Sequence, residues 1–302
     1  RREALEGYLD VFRQALEVGI RPRCHFEDLT RADFYGFVIP FAIELRKLME
    51  QSGIPIKIRA CDTMGFGVSY PGASMPRSVP GIIYGLRNYA DFPSELIEWH
   101  GHNDFYKAVN NATTAWLYGA SAVNCTLLGI GERTGNTPLE AMVFEYAALR
   151  GTLDGMDTTV ITEIADYYVN EIGYEVPPMT PLVGADFNTT RAGIHADGLL
   201  KDKEIYTAFN TDKLLNAPIR VMVNQASGAA GLLHWIKTEF RLSDNHPLDK
   251  RDARLTPVLQ WIEDEYKGGR QTGITDIELR TVLSTLAPEF LSEIREAQGS
   301  AD

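Results

Sequence analysis

Residues 1–150 predict an α/β fold built on a parallel sheet, and residues 151–302 predict a helical region. Two observations carry the first expectation. Short β-like runs alternate with helical runs four times, and a turn-rich junction follows each strand candidate. The near disappearance of strand-like runs after Arg150 carries the second. The strand candidates are 22–27 (PRCHFE), 55–62 (PIKIRACD), 96–102 (LIEWHGH) and 121–128 (SAVNCTLL), with helices expected near 33–50, 79–89, 106–118 and 138–150. Further helices are expected near 158–171, 193–200, 225–237, 253–266 and 276–286.

Composition removes several classes of function. The 302 residues include 41 acids and 29 bases, a formal net charge of −12, so a surface for nucleic acid or anionic membrane is not expected. The longest apolar run, near 34–45, is too short to span a bilayer and contains Pro40. Three cysteines (Cys24, Cys61, Cys125) without a CxxC pair suit a reducing compartment and small core positions. The opening RREALEGYLDVF lacks the apolar stretch of a secretion signal, so a cytoplasmic protein is expected.

In a parallel sheet or barrel, chemistry gathers where strands end and helices begin. Four junctions qualify here: HFEDLTR, CDTMGFG, HGHND and GIGERTGN. The second opens a long irregular stretch, 63–78, which is either a binding loop or a tolerated insertion.

His100 and His102 stand two residues apart at a strand end, so both imidazoles point to one side and can converge on one divalent ion. Asn103 or Asp104 suits the cap of the next helix. In GIGERTGNTPLE, Gly129, Gly131 and Gly135 surround Glu132, Arg133 and Asn136. Thr137 to Glu140 reads as a capping box with Pro138 at the first helical position. That leaves Glu132, Arg133 and Asn136 either as ligand contacts or as a network tying loops together.

HGHND followed at a distance by GIGERTGN, with FEDLTRAD, CDTMG, TTRAGIHADGLLK and VNQASGAAGLLHWIK, resembles the 2-isopropylmalate synthase and homocitrate synthase family of the DRE-TIM metallolyase superfamily. The stretches WHGHNDFYKAVNNATTAWLYGA and EIYTAFNTDKLLNAPIRVMVNQ are most similar to its Re-face-specific citrate synthase branch. The resemblance implies a (β/α)8 TIM barrel followed by a helical subdomain. It also implies a metal-dependent acyltransferase that condenses acetyl-CoA with a 2-oxo acid, here oxaloacetate to citrate, and then hydrolyses the thioester. Carried over by position, His100, His102 and Asn136 would ligate the metal (Mn²⁺ or Mg²⁺, with Zn²⁺ also compatible). Thr63 would hold the keto acid's carboxylate, and Glu27 and His195 would be catalytic. Glu132 and Arg133 would lie in or just behind the substrate site. His195 is often delivered across a dimer in that family, so a homodimer is expected, with neither nucleic acid nor membrane as partner.

Two departures accompany the resemblance. Only the last four βα units are recognisable, so residues 1–150 read as the C-terminal half of a barrel without the family's Arg–Asp pair. The chain ends after the helical region 151–302, so leucine feedback is not expected. Arg23, His25 and Glu27 share one strand face. His25, where the family often has a small residue, either meets a second carboxylate or simply orients Glu27. The rival activities are a 2-isopropylmalate or homocitrate synthase, the lyase branch that cleaves hydroxymethylglutaryl-CoA, and a barrel metal hydrolase. The lyase branch carries a cysteine in its glycine loop, which is absent here. A non-catalytic half-barrel subunit that needs a partner is the alternative from another class.

Overall fold

The computed structural model describes residues 2–243 and 246–299, and the chain divides into two compact units, Arg1–Met156 and Asp157–Asp302. In the first unit, helix α1 (Arg2–Glu17) precedes four strand–helix repeats. These are β1 (Arg23–Phe26) with α2 (Ile39–Ser52), β2 (Lys57–Asp62) with α3 (Val79–Asn88), β3 (Ile97–Gly101) with α4 (Ala108–Tyr118), and β4 (Ala122–Asn124) with α5 (Leu139–Arg150). The strands form one parallel sheet in the order β1-β2-β3-β4. The sequence reading passes over α1, although Leu5, Leu9, Phe12 and Leu16 repeat at helical spacing; Leu9 and Leu16 are buried, and Leu5 and Phe12 pack against the core.

One face of this sheet is apolar and fully covered. Ile58, Ala60, Ile97 and Trp99 have no exposed surface and pack with Ala42 and Leu45 of α2, Ile82, Ile83 and Leu86 of α3, and Ala112 and Ala115 of α4. The other face carries Arg23, His25, Lys57, Arg59, Cys61, Glu98, His100 and Asn124. Parallel strands are usually apolar on both faces. Here the alternation of apolar and polar residues in RCHF, KIRACD and IEWHG records an ionic second face.

Several boundaries differ from expectation for local reasons. The helix expected from 33 starts as a wide turn, Phe34–Val38, and becomes α2 only at Ile39. Pro40 has no N–H to donate to Gly36, so the chain closes i to i+5 instead, with Val38 N–H reaching Asp33 O (3.2 Å). The fourth strand stops at Asn124, because Leu128 is left-handed (φ 56°) and turns the chain. The capping box expected at Thr137–Glu140 does not form. Pro138 is the N-cap, α5 begins at Leu139, and the Glu140 carboxylate instead accepts the N–H of Leu128 (3.1 Å). Residues 63–78 form an ordered excursion. A bridge between Val68 and Ser78 closes its base, Phe66 stacks on Phe105 (centroids 5.7 Å apart), and Arg77 lies over Phe66.

The second unit contains α6 (Val160–Asn170), α7 (Gly193–Lys201), α8 (Thr211–Leu215), α9 (Gly228–Glu239), α10 (Thr256–Lys267), α11 (Asp276–Leu286) and α12 (Pro288–Gly299). A minimal parallel pair, β5 (Thr189–Thr190) and β6 (Arg220–Val221), also lies there. Leu232, Ile236, Leu255, Val258, Leu279, Leu283 and Phe290 form its main core. Trp235 Nε1–H donates to Asp276 (2.9 Å), and Thr275 with Glu278 makes a true capping box on α11. Among the described residues no helix is long and apolar enough to cross a membrane.

Candidate active site

The strand register stacks the polar face into rows. Arg23 pairs with Lys57; His25, Arg59 and Glu98 form the next row; Cys61, His100 and Asn124 the row after. His102 follows His100 just beyond β3, where its N–H binds Asp62 O (3.3 Å). The site therefore lies at the carboxyl ends of the strands, as open parallel sheets favour.

The two imidazoles confront each other, Nε2 to Nε2 at 3.3 Å. His100 Nδ1–H donates to Asn124 Oδ1 (2.8 Å), so its Nε2 presents a lone pair. Burial lowers the pKa of His100, against the opposing pull of the Asn124 hydrogen bond. Two nitrogens bound at ~2.1 Å and about 100° apart on one ion would lie ~3.2 Å from each other, so the observed separation fits a shared cation. His102 Nδ1 and Asn136 Oδ1 are buried without a hydrogen-bond partner among the described residues. Asn136 lies beside His102, bridged to it in antiparallel fashion. Among the described residues no group of three or more His, Cys, Asp or Glu side chains could hold a metal, so a third protein donor beside the two imidazoles would have to be of another type, such as a carboxamide.

The GIGERTGN loop is held in an unusual path. Leu128, Gly129, Arg133 and Gly135 all have positive φ (56°, 66°, 54°, 88°). Asn136 N–H binds Gly129 O (2.9 Å), Asn103 N–H binds Gly135 O (3.0 Å), and Glu140 anchors Leu128 from behind. Burial pushes the Glu140 carboxyl up, in the direction of the neutral acid.

Thr63 and Glu27 meet directly. The Thr63 hydroxyl donates to Glu27 Oε1 (2.7 Å) and accepts from Asp28 N–H (2.8 Å). Thr63 is thus committed to Glu27 here, and any carboxylate it held would share or replace that bond. Arg133 forms a fork on Asp104 (Nε to Oδ1 2.8 Å, Nη2 to Oδ2 3.0 Å), and its Nη2 also donates to Thr63 O (2.6 Å). One guanidinium therefore ties the loops that follow β2, β3 and β4, whereas its contact with Glu132 is only 3.9 Å and the Glu132 side chain is 85% exposed.

His25 is exposed on β1 in register with Arg59, and partial desolvation of its ring against the sheet, followed by the nearby Arg59 and Arg23 charges, lowers its pKa. His195 belongs to the second unit, on α7. Its ring stacks on Tyr206 (centroids 3.7 Å, 17°), and Nδ1 lies 3.5 Å from Thr190 Oγ1. Four contributors escaped the sequence reading: Asn124, Asp104 as partner of Arg133, Glu140, and the ionic group on Glu98. The same-face spacing of Lys57, Arg59, Glu98 and Asn124 was available as a signal. Their cross-strand register was not.

With that geometry in place, comparison with known proteins is informative. Residues 1–167 match the HMGL-like family. The chain is 56% identical to a citrate (Re)-synthase of Clostridium kluyveri over 296 residues, 98% of this chain and 65% of that protein. It is 55% identical to a citrate (Re)-synthase of Syntrophus aciditrophicus over 302 residues, all of this chain and 48% of that protein. A 2-phosphinomethylmalate synthase of Streptomyces hygroscopicus is 37% identical over 287 residues, 94% of this chain and 63% of that protein. Among solved structures, hydroxymethylglutaryl-CoA lyase from Pseudomonas aeruginosa matches 58% of this chain and 57% of its own at 19% identity and a TM-score of 0.44. The chain thus spans between about half and two thirds of the length of these curated relatives. The family match runs through the whole of the first compact unit, and the chain belongs to the HMGL-like family.

Proposed function

We propose that this chain carries the metal-binding half of a TIM-barrel acyltransferase that condenses acetyl-CoA with oxaloacetate to give citrate, then hydrolyses the thioester. The observation that carries this is the pair of imidazole nitrogens 3.3 Å apart beside a buried, unpartnered Asn136 oxygen. The similarity above half identity to two citrate (Re)-synthases supports the substrate. In this proposal His100, His102 and Asn136 hold a divalent ion, Mn²⁺ or Mg²⁺ by oxygen content and Zn²⁺ by imidazole content. Such an ion, when bound, supplies Lewis-acid polarisation of a chelating keto acid.

The chain's own groups do the rest. Asn124 fixes the His100 tautomer. Thr63 orients Glu27, and Glu27 with His195 are the groups that take the acetyl methyl proton and return one to the developing alkoxide. Arg133 sets the loop carrying Thr63, and Glu132 stands at the mouth of the site. His25 faces the keto acid's tail. Residues 1–150 act as the C-terminal half of the barrel. Residues 151–302 act as a helical subdomain that delivers His195 across a cytoplasmic homodimer.

The test is a product assay on the intact protein with acetyl-CoA and oxaloacetate, 2-oxoisovalerate or 2-oxoglutarate, together with elemental analysis. Citrate formed by metal-loaded protein and lost after chelation is the expected result. Turnover confined to another keto acid would replace the substrate, and retention of full activity without metal would overturn the site.

A further inference from the structure

We propose that Arg59, held in place by Glu98, is the residue that selects a keto acid bearing a second carboxylate. The inference rests on the metal-centred keto-acid site proposed above and names the part of it that chooses the substrate tail.

Glu98 is a buried carboxylate, 6% exposed, that collects three cations. Arg23 Nη2 (3.1 Å) and Lys57 Nζ (3.0 Å) reach Oε1, and Arg59 Nε (3.1 Å) reaches Oε2. Three positive charges against one negative leave a surplus of two around Glu98, which Glu27, beside Cys61 and His100 on the same face, lowers to one for the face as a whole. The Arg23 and Lys57 side chains are 41% and 42% exposed, so water solvates them; that of Arg59 is only 15% exposed. A buried cation that shares its counter-ion is costly unless another anion completes its environment. Arg59 turns Nε (3.1 Å) and Nη2 (3.0 Å) to Glu98, which leaves Nη1 as the edge of the guanidinium not engaged by that carboxylate.

Position then specifies the anion. Arg59 lies in register with His25 on one side and Glu98 on the other, and the next row on the same face holds Cys61 and His100. Side chains two residues apart on a strand are separated by ~6.6 Å. A keto acid chelated at the imidazole row, with one methylene before its second carboxylate, reaches one row down to the Arg59 guanidinium. A longer or branched apolar tail would instead desolvate the cation without pairing it, which is how a polar site rejects an analogue lacking the matching group. Arginine suits the task because its fork binds carboxylate in two places while one edge stays on Glu98.

The experiment measures calorimetric binding of oxaloacetate and of 2-oxoisovalerate to the intact, Mn²⁺-supplemented protein, with citrate turnover as a second readout. Arg59→Gln is expected to weaken oxaloacetate binding about 10- to 100-fold, the loss of a charge-assisted hydrogen bond. Binding of 2-oxoisovalerate should hold or improve, and metal content should stay the same. Arg59→Lys, which keeps the charge over Glu98, guards against misfolding and should fall between wild type and Arg59→Gln. Equal loss of both acids, or no loss of oxaloacetate, in folded protein overturns the selective role while the metal-centred site stands. Wild-type protein that binds neither acid overturns that site and this inference together.

Discussion

His100 and His102 turn their Nε2 atoms toward each other at 3.3 Å, and Asn124 leaves the nearer ring no choice of tautomer. A proton or a cation between the two nitrogens makes so close an approach favourable. The backbone enforces the confrontation: residues i and i+2 of a strand end share a face, and His102 N–H is pinned to Asp62 O.

Asn124 should therefore behave as part of the proposed metal centre, by orienting His100 rather than by ligating an ion. Asn124→Ala is expected to lower metal affinity about 10- to 100-fold, the usual cost of removing a ligand's orienting partner. His102→Ala should abolish stoichiometric metal. Competition with a chelator reads both, and wild-type affinity in Asn124→Ala would show that the tautomer is set by something else.

Thr63 gives a second handle. Thr63→Val deletes both the donor to Glu27 and the acceptor for Asp28 N–H, while Thr63→Ser keeps them. Turnover is expected to drop roughly tenfold or more in the valine variant, from a lost hydrogen bond to a charged group. The serine variant should recover most of it, with metal content unchanged in both. Equal activity in the two would separate Thr63 from Glu27.

Stability should report Glu140 through pH. Burial raises its folded-state pKa above the unfolded value near 4.5. Below that value both states are protonated and the group contributes nothing. As pH rises toward the folded pKa, only the unfolded state releases the proton, so stability is lost with increasing pH. Glu140→Gln keeps an acceptor for Leu128 N–H and removes the ionisation. Its Tm should exceed wild type at neutral pH and converge with it near pH 4; a difference that ignores pH would contradict the sign.

The glycine loop offers a steric test with an internal control. A Cβ on Gly135 (φ 88°) would overlap the Gly129 carbonyl oxygen, whereas one on Gly151 (φ 73°) meets nothing within 4 Å. Gly151→Ala should cost only the left-handed conformation, ~1–2 kcal/mol. Gly135→Ala should cost more and also release metal, because the same turn carries Asn136. Thermal melts with metal analysis compare them directly.

Much of this was legible before the structure. The four strand–helix repeats follow from periodicity, and the HxH pair follows from strand alternation. The helix at the amino end is legible only in the spacing of Leu5, Leu9, Phe12 and Leu16, since its charged remainder looks like a solvated leader. The Thr137–Glu140 pattern misled because a capping box and a buried loop anchor look alike in one dimension. Only the turn at Leu128 distinguishes them. Arg133 and Asp104 lie 29 residues apart, and nothing local forecasts their fork. The register that places Arg59 between His25 and Glu98 is a property of the assembled sheet.

The ionic face of that sheet constrains what can pack against it. The first unit draws its hydrophobic cohesion from the helix-covered side alone, since Ile58, Ala60, Ile97 and Trp99 all point there. Whatever seals the opposite side must arrive with hydration or compensating charge, so a greasy surface is a poor mate and a polar one a good one. Solubility and correct assembly would then be governed by the same handful of charges, and a designer trimming them for yield would also be altering what can close over the site.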